Sequence, residues 1–349
     1  MAPIGRGRTA ATDAISRRGR PARSYLTYVA SVVLLAALSL SLTSACDGDD
    51  DASPSPTSTP LAVDGSTIDV HTHVMSAELT TLVGARGPAT ADDLVERMDE
   101  ASVDRAVVLS TAYMSVLPDD AAMSAENDFM AAQVARYPDR LIPFCGINPL
   151  RAAALDEIDR CVDDLGAQGI KLHLVGSQLD MTNPAHVDAL TRVFERVQAR
   201  ELPVLLHAAN PIGLPLDSDG VTSLGTVIAQ HPGVRVVFAH CFSPLDNQQL
   251  ELITEGIRQG LLQGDQLFLD VSACLAAFQD APLSERELIV WRLRKFGLER
   301  VFFGSDYLEI DPTAITPADA LRVLALYPFT QEEIDLILRN DASAWLDGS

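Results

Sequence analysis

The sequence predicts a (β/α)₈ barrel, on three observations. From about residue 66 onward, eight short apolar runs alternate with stretches of helical periodicity. The runs are apolar at nearly every position rather than at every second one, as in a parallel sheet covered on both faces. Eight such units in about 285 residues match a fold that typically takes about 250. An open, doubly wound sheet is the alternative. It calls for a glycine-rich turn after the first strand, where His71-Thr-His73 stands instead.

The strands are expected at 67–73, 105–110, 141–147, 169–174, 203–208, 235–240, 266–271 and 301–306. Helices are expected between them. Thr90-Ala-Asp-Asp opens one over 94–101, and apolar residues at helical spacing mark 155–165, 187–199, 224–230, 250–261 and 285–296. Thr330-Gln-Glu-Glu333 has the pattern of a capping box before 334–338. No internal repeat or second-domain boundary interrupts the series, so 65–349 reads as one barrel.

The first 64 residues read differently. Six arginines (Arg6, Arg8, Arg17, Arg18, Arg20 and Arg23) precede an apolar run over about 25–45 that ends Thr43-Ser44-Ala45-Cys46. A basic start, an apolar stretch and small residues before a cleavage point are the marks of an export signal. Cys46 falls where a bacterial lipoprotein signal places its acylated cysteine, although Thr43 stands where that signal prefers leucine. The run is also long enough to span a bilayer, so an uncleaved anchor is the alternative. Residues 46–64, rich in Asp, Pro, Ser and Thr, read as a disordered tether leaving a membrane. Both readings expect an extracytoplasmic protein attached to the membrane. There, disulfides among Cys145, Cys161, Cys241 and Cys274 are permitted, and buried free thiols are the competing reading.

Composition narrows the partners. The net charge is −22, and beyond residue 45 there are 20 basic residues against 47 acidic. Nucleic acid, whose phosphates require Lys and Arg, is therefore not expected as a partner. A small-molecule substrate is.

Polar residues gather at the strand ends. His71 and His73 close the first strand, His173 follows Lys171 in the fourth, His207 closes the fifth, His240 the sixth and Asp306 the eighth. In a barrel the active site forms at the C-terminal mouth, from these ends and the loops after them. Residues two apart on a strand share a face, so Asp69, His71 and His73 are expected to point one way, and Lys171 and His173 one way. Imidazoles and a carboxylate at one rim suit a divalent metal such as Zn²⁺, and a site with open positions can supply hydroxide near neutral pH. Any single His at a strand end is more often a hydrogen-bonded residue than a ligand. The coincidence of four His and one Asp at one end carries the argument. His186 and His231 read as solvated bystanders, and Asp69 as a paired structural carboxylate. Lys171 is one of only two lysines among 26 basic residues, yet lies inside an apolar strand. It is expected either to pair with a carboxylate, or to touch substrate or carry CO₂ between two metals.

These residues resemble a known family. Ile68-Asp-Val-His-Thr-His73, Gly169-Ile-Lys-Leu-His173, Pro203-Val-Leu-Leu-His207, Val236-Val-Phe-Ala-His240 and Phe303-Gly-Ser-Asp306 are similar to the ordered motifs of the amidohydrolase superfamily, and to its amidohydrolase-related (amidohydrolase 2) branch in particular. Asn127-Asp128, Tyr137-Pro-Asp-Arg140 and Arg339-Asn-Asp-Ala-Ser-Ala-Trp345 support the likeness, which runs over about 66–346. The resemblance implies a metal-dependent barrel with His71, His73, His207 and Asp306 as ligands. Asp306 would also touch the attacking water, and His240 would be the catalytic imidazole. Lys171 would join the ligands only if carboxylated in a binuclear site. One Zn²⁺ is expected, or two in that case.

The leading expectation is hydrolysis of a C–N or C–O bond of a small molecule by an envelope-anchored lipoprotein. The alternative is non-oxidative decarboxylation of an aromatic or unsaturated acid, for which Arg151 could meet the substrate carboxylate. A non-catalytic binding lipoprotein is the third. Specificity is expected in the loops 74–89, 111–125, 209–220 and 307–314, with Tyr113, Asn210, Phe278, Tyr307 and Glu309 as candidate pocket residues.

Overall fold

A computed structural model of the chain describes residues 67–209, 213–242, 248–309, 314–340 and 342–348. The expected export signal, Cys46, the tether and Asn210 lie outside the described residues. Eight parallel strands stand side by side in chain order: β1 (Ile68–Val74), β2 (Arg105–Ser110), β3 (Leu141–Gly146), β4 (Gly169–His173), β5 (Val204–His207), β6 (Val236–Phe238), β7 (Leu267–Asp270) and β8 (Val301–Phe302). Each falls on a run expected from the sequence. β8 keeps only two paired residues, and the return to β1 is made by backbone bonds beyond it. Val70 N donates to Phe303 O at 3.0 Å, Asp306 N to His71 O at 2.8 Å and His73 N to Tyr307 O at 2.8 Å. The result is a nearly closed (β/α)₈ barrel.

The helices are α1 (Ala77–Val83), α2 (Ala91–Ala101), α3 (Asp120–Val134), α4 (Ala154–Asp163), α5 (Pro184–Ala199), α6 (Ser218–Gln230), α7 (Gln248–Arg258), α8 (Cys274–Ala277), α9 (Leu283–Phe296), α10 (Pro317–Leu324), α11 (Gln331–Arg339) and α12 (Ser343–Leu346). Thr90 and Thr330 cap α2 and α11 with reciprocal capping boxes, as their sequences imply. The helix α3 was not legible in the sequence. Its inward face is partly polar, with Glu126 and Asn127 buried beside Met123, Met130 and Val134, so the apolar stripe that announces a helix is broken. Those polar groups tie the strand ends together. Glu126 Oε1 accepts from Ser76 N at 3.0 Å and Thr111 Oγ1 at 2.9 Å, and Asn127 bridges Gly146 N and O at 3.0 and 3.2 Å. Among the described residues, no helix is long and apolar enough to cross a membrane.

Alternation along the strands sorts the core into two layers. Val107, Leu109, Ile142, Phe144, Leu205, Val237, Phe268 and Phe302 fill the barrel interior. Their neighbours, such as Val108, Ile170, Leu206, Phe238 and Leu269, lie under the helices. Trp345 belongs to the interior layer, at the end where strands begin. Its Nε1 donates to Val204 O at 3.3 Å and its ring lies 5.1 Å from that of Phe144.

β1 departs from strict alternation, and the departure builds the site. Asp69 pairs with Ala106 of β2, but Thr72 pairs with Val108, so three steps on β1 face two on β2. This is a β-bulge, which adds one residue and re-aims the side chains after it. Ile68 and Val70 point into the barrel. Without the extra residue, His71 and His73 would fall on the opposite face from them. The expectation that Asp69 shares a face with the two histidines is therefore corrected.

Candidate active site

His71, His73 and Asp306 meet at the C-terminal mouth, one ligand atom of each lying within 4.8 Å of the others. Asp306 Oδ1 is 3.1 Å from His71 Nε2 and 3.3 Å from His73 Nε2. The opposite ring nitrogens are already engaged. His73 Nδ1 donates to the Leu109 carbonyl at 3.1 Å, and His71 Nδ1 to Asp270 Oδ2 at 2.9 Å. An acceptor at Nδ1 fixes the proton there and leaves the Nε2 lone pair bare. Both Nε2 lone pairs thus face one carboxylate oxygen, with the Lys171 ammonium 3.1 Å from that of His71, an arrangement suited to a cation.

Burial, with the nearby Lys171 charge adding to it, holds His71 well below its ordinary pKa, and burial likewise lowers His73. Burial opposes the charge on Asp306, but His71, His240 and His73 outweigh it and hold the carboxyl well below the usual carboxylate range. Neutral imidazoles and an ionised carboxylate are metal donors in their binding form. Metal–ligand distances of about 2.0–2.2 Å place adjacent ligand atoms roughly 3.0–3.5 Å apart, and the Asp306 oxygen stands in that range of both histidines. The site can hold a divalent metal.

Lys171 occupies the same neighbourhood as a cation. It is fully buried on the inward face of β4, with Nζ 3.1 Å from His71 Nε2. Burial pulls the ammonium down to about 8, against Asp306 and Asp270, which favour the charge.

Asp270, at the end of β7, was missed by sequence reading. It is fully buried, and its carboxylate serves both histidine groups. Oδ2 accepts from His71 Nδ1, while Oδ1 accepts from His240 N at 2.9 Å, Ser272 N at 3.0 Å and the Ser272 hydroxyl. The signal available was its place: an acidic residue closing an apolar strand, as Asp306 closes another. Gly304 makes room for this convergence, since a Cβ there would sit 3.1 Å from the His71 Cβ and 3.2 Å from that of Ser272.

His240 stacks on His71 with ring centroids 4.9 Å apart. Its Nδ1 lies 2.9 Å from Ser272 Oγ and 3.2 Å from Ser272 O. Because the carbonyl only accepts and the hydroxyl hydrogen goes to Asp270, His240 carries its proton on Nδ1 and presents a bare Nε2. The backbone here is costly: His240, Cys241 and Phe242 have φ of 59°, 54° and 77°, and Ala273 has 50°. Each non-glycine residue held there costs on the order of 1–2 kcal/mol. Such positions persist only where the surroundings over-determine them.

His207 stands edge-on to His240 at 4.8 Å and stacks on His173 at 3.9 Å, with Tyr113 continuing the stack at 4.8 Å from His173. It reaches the same mouth but lies outside the His71–His73–Asp306 cluster. Arg151 is engaged elsewhere, donating to the Leu117 carbonyl. His231 is buried rather than solvated, with Nδ1 bonded to Val227 O. Asp69 bridges β1 and the chain after β8, accepting from His71 N at 3.1 Å and Ser305 N at 3.0 Å, with burial pushing its carboxyl up to about 7.

The amidohydrolase family model matches residues 68–347. The chain belongs to the amidohydrolase family. A γ-resorcylate decarboxylase of Rhizobium radiobacter is 35% identical over 96 residues, 26% of this chain and 28% of that one. The chain thus aligns with little more than a quarter of that relative's length. The 5-carboxyvanillate decarboxylase from Sphingomonas paucimobilis superposes with a TM-score of 0.59 at 15% identity, over 80% of this chain and 98% of that one. A dihydroxybenzoic acid decarboxylase from Polaromonas sp. JS666, with bound manganese and 2-nitroresorcinol, superposes at 0.56 and 16% identity, over 80% and 96%. At those identities the structural likeness is one of fold.

The family makes the chain an enzyme of the amidohydrolase superfamily. The expected hydrolysis of a C–N or C–O bond is overturned, because the curated relatives it matches are γ-resorcylate decarboxylases; nothing in them bears on an anchor. The misdirection has a physical source. A ring of His and Asp donors at a barrel mouth serves either chemistry, and the ligand motifs alone do not separate them.

Proposed function

We propose that the protein is a metal-dependent, non-oxidative decarboxylase of a hydroxylated aromatic carboxylic acid. The observation that carries this reading is the 35% identity to a γ-resorcylate decarboxylase. The site is consistent with it. In this reading His71, His73 and Asp306 hold the metal with His207 as a further donor, and Lys171 stays unmodified beside them. The bound metal supplies Lewis-acid polarisation of a substrate oxygen. The reaction needs one proton delivered to the ring carbon that bears the carboxylate. The C–C bond then breaks, its electron pair stays on the ring, and CO₂ leaves. His240 suits that delivery, because Ser272 holds its Nδ1–H and leaves Nε2 free to take up and pass on a proton. Manganese is tested beside zinc, because a structural neighbour carries it.

The test is incubation of metal-loaded protein with 2,6-dihydroxybenzoate or 5-carboxyvanillate in D₂O. Stoichiometric CO₂ and a phenol carrying one deuterium at the former carboxyl carbon are expected. No CO₂ from either acid, with one metal bound per chain, would sink the proposal.

We propose further that the protein works outside the cytoplasm. Disulfides Cys145–Cys161 and Cys241–Cys274 support an oxidising compartment. Thiol counting by mass spectrometry on protein from its own cells checks this; four alkylated cysteines would contradict it.

A further inference from the structure

We propose that the Cys241–Cys274 disulfide holds His240 in its working position, making Cys241 and Cys274 positioning residues for the reaction rather than supports of the barrel. The inference rests on the reading of His240 as the proton-moving group. Cys241 directly follows His240, and Cys274 lies two residues after Ser272, the acceptor for His240 Nδ1. The bridge therefore joins the two loops whose separation sets the imidazole's position, with Cα atoms 6.0 Å apart and both cysteines fully buried.

The backbone explains why a covalent tie is needed there. His240, Cys241 and Phe242 on one side of the bridge, and Ala273 on the other, all have positive φ without being glycine. Left to itself, a segment in that conformation relaxes toward negative φ, which rotates the His240 Cα–Cβ direction away from Ser272. The hydrogen bonds from His240 N to Asp270 and from Nδ1 to Ser272 oppose this, but each depends on the loop spacing that the disulfide sets. Cys145–Cys161 provides the contrast. It joins β3 to α4 and ties neither of the segments that carry His240 and Ser272.

The experiment compares three forms of the full, metal-loaded chain: unaltered, Cys241→Ala with Cys274→Ala, and Cys145→Ala with Cys161→Ala. Metal per chain, kcat and KM on 2,6-dihydroxybenzoate are measured, together with ¹⁵N-histidine NMR of the imidazole nitrogens. Removing the Cys241–Cys274 bridge is expected to move His240 from a fixed Nδ1–H pattern toward averaged tautomers. It should lower kcat at least tenfold, with KM within twofold and metal content unchanged. Removing the other bridge should leave the His240 pattern and kcat as they were. An unchanged His240 pattern in the first variant, or equal losses of kcat in both, overturns the inference. If no form turns over the acid, the decarboxylase reading fails and the His240 pattern alone decides. Should the first variant not fold, the folded wild type is reduced and reoxidised instead. The pattern must then collapse and return, and a pattern indifferent to reduction overturns the inference.

Discussion

The two sides of the barrel mouth hold their histidines by different means. On the β1–β8 side, His71 and His73 ride a bulged strand whose backbone is bonded to Phe303, Asp306 and Tyr307, and their rings are fixed by a carbonyl and a carboxylate. On the β6–β7 side, β6 ends at Phe238 and His240 sits beyond it in a left-handed turn, held by Ser272, Asp270 and a disulfide. Where a ladder persists to the site, register places the histidine. Where it stops, side-chain and covalent ties must do so, and those are individually removable. Asp270 connects the two sides, since one oxygen serves His71 and the other serves His240.

The largest expected effect comes from the β1–β8 side. Asp306→Asn keeps the shape but puts a neutral amide where the carboxylate faces His71 and His73 Nε2, so kcat/KM should fall at least about 10³-fold. Metal per chain, by elemental analysis, should fall with it; a fully metallated, active variant would show that the cluster is not the centre. The reference point off both sides is Cys145→Ala with Cys161→Ala. Opening a loop of 16 residues should cost roughly 3 kcal/mol of stability, read by urea unfolding, with activity retained. Asp270→Asn joins the comparison, because an amide nitrogen facing His71 Nδ1 forces that ring's proton to Nε2, the ligand position. Metal affinity, measured by titration of the apoprotein, should weaken about 10–100-fold. If affinity holds while kcat falls, Asp270 acts through His240 alone.

The smallest effect concerns the seam. Asp69 is pushed up to about 7 in the folded protein from an ordinary 3.8 in the unfolded chain. Between those values the native state holds a proton that the unfolded state has lost, so stability falls as pH rises through this window. The slope is at most about 1.4 kcal/mol per pH unit. Asp69→Asn should remove that slope in urea unfolding followed from pH 4.5 to 8. Equal slopes in the two proteins would show that the carboxyl is ionised throughout.

The strands were legible because eight parallel strands covered on both faces leave an unambiguous apolar record, and the rim residues because they interrupt that record at its ends. The β1 bulge was not, since it depends on pairing with β2 and leaves no local mark. α3 was lost because Glu126 and Asn127 spend its buried face on hydrogen bonds. Lys171 was expected against a carboxylate, and its contact with His71 depends on a convergence of strands 100 residues apart. Asp270 was not legible, because a lone acidic residue closing a strand carries no motif and its bonds to His71 and His240 form only in the fold. Hydrolysis and decarboxylation could not be separated, since both draw on the same donors.

Trp345 has a consequence for biosynthesis. The interior layer that begins at Ile68 is sealed at its lower end by a side chain 277 positions later. At roughly 5–20 residues per second, about 14–55 s separate the synthesis of the first strand from that of its plug. Throughout that interval the nascent sheet displays its inner apolar face. That face is the surface a chaperone would have to shield until Trp345 is made.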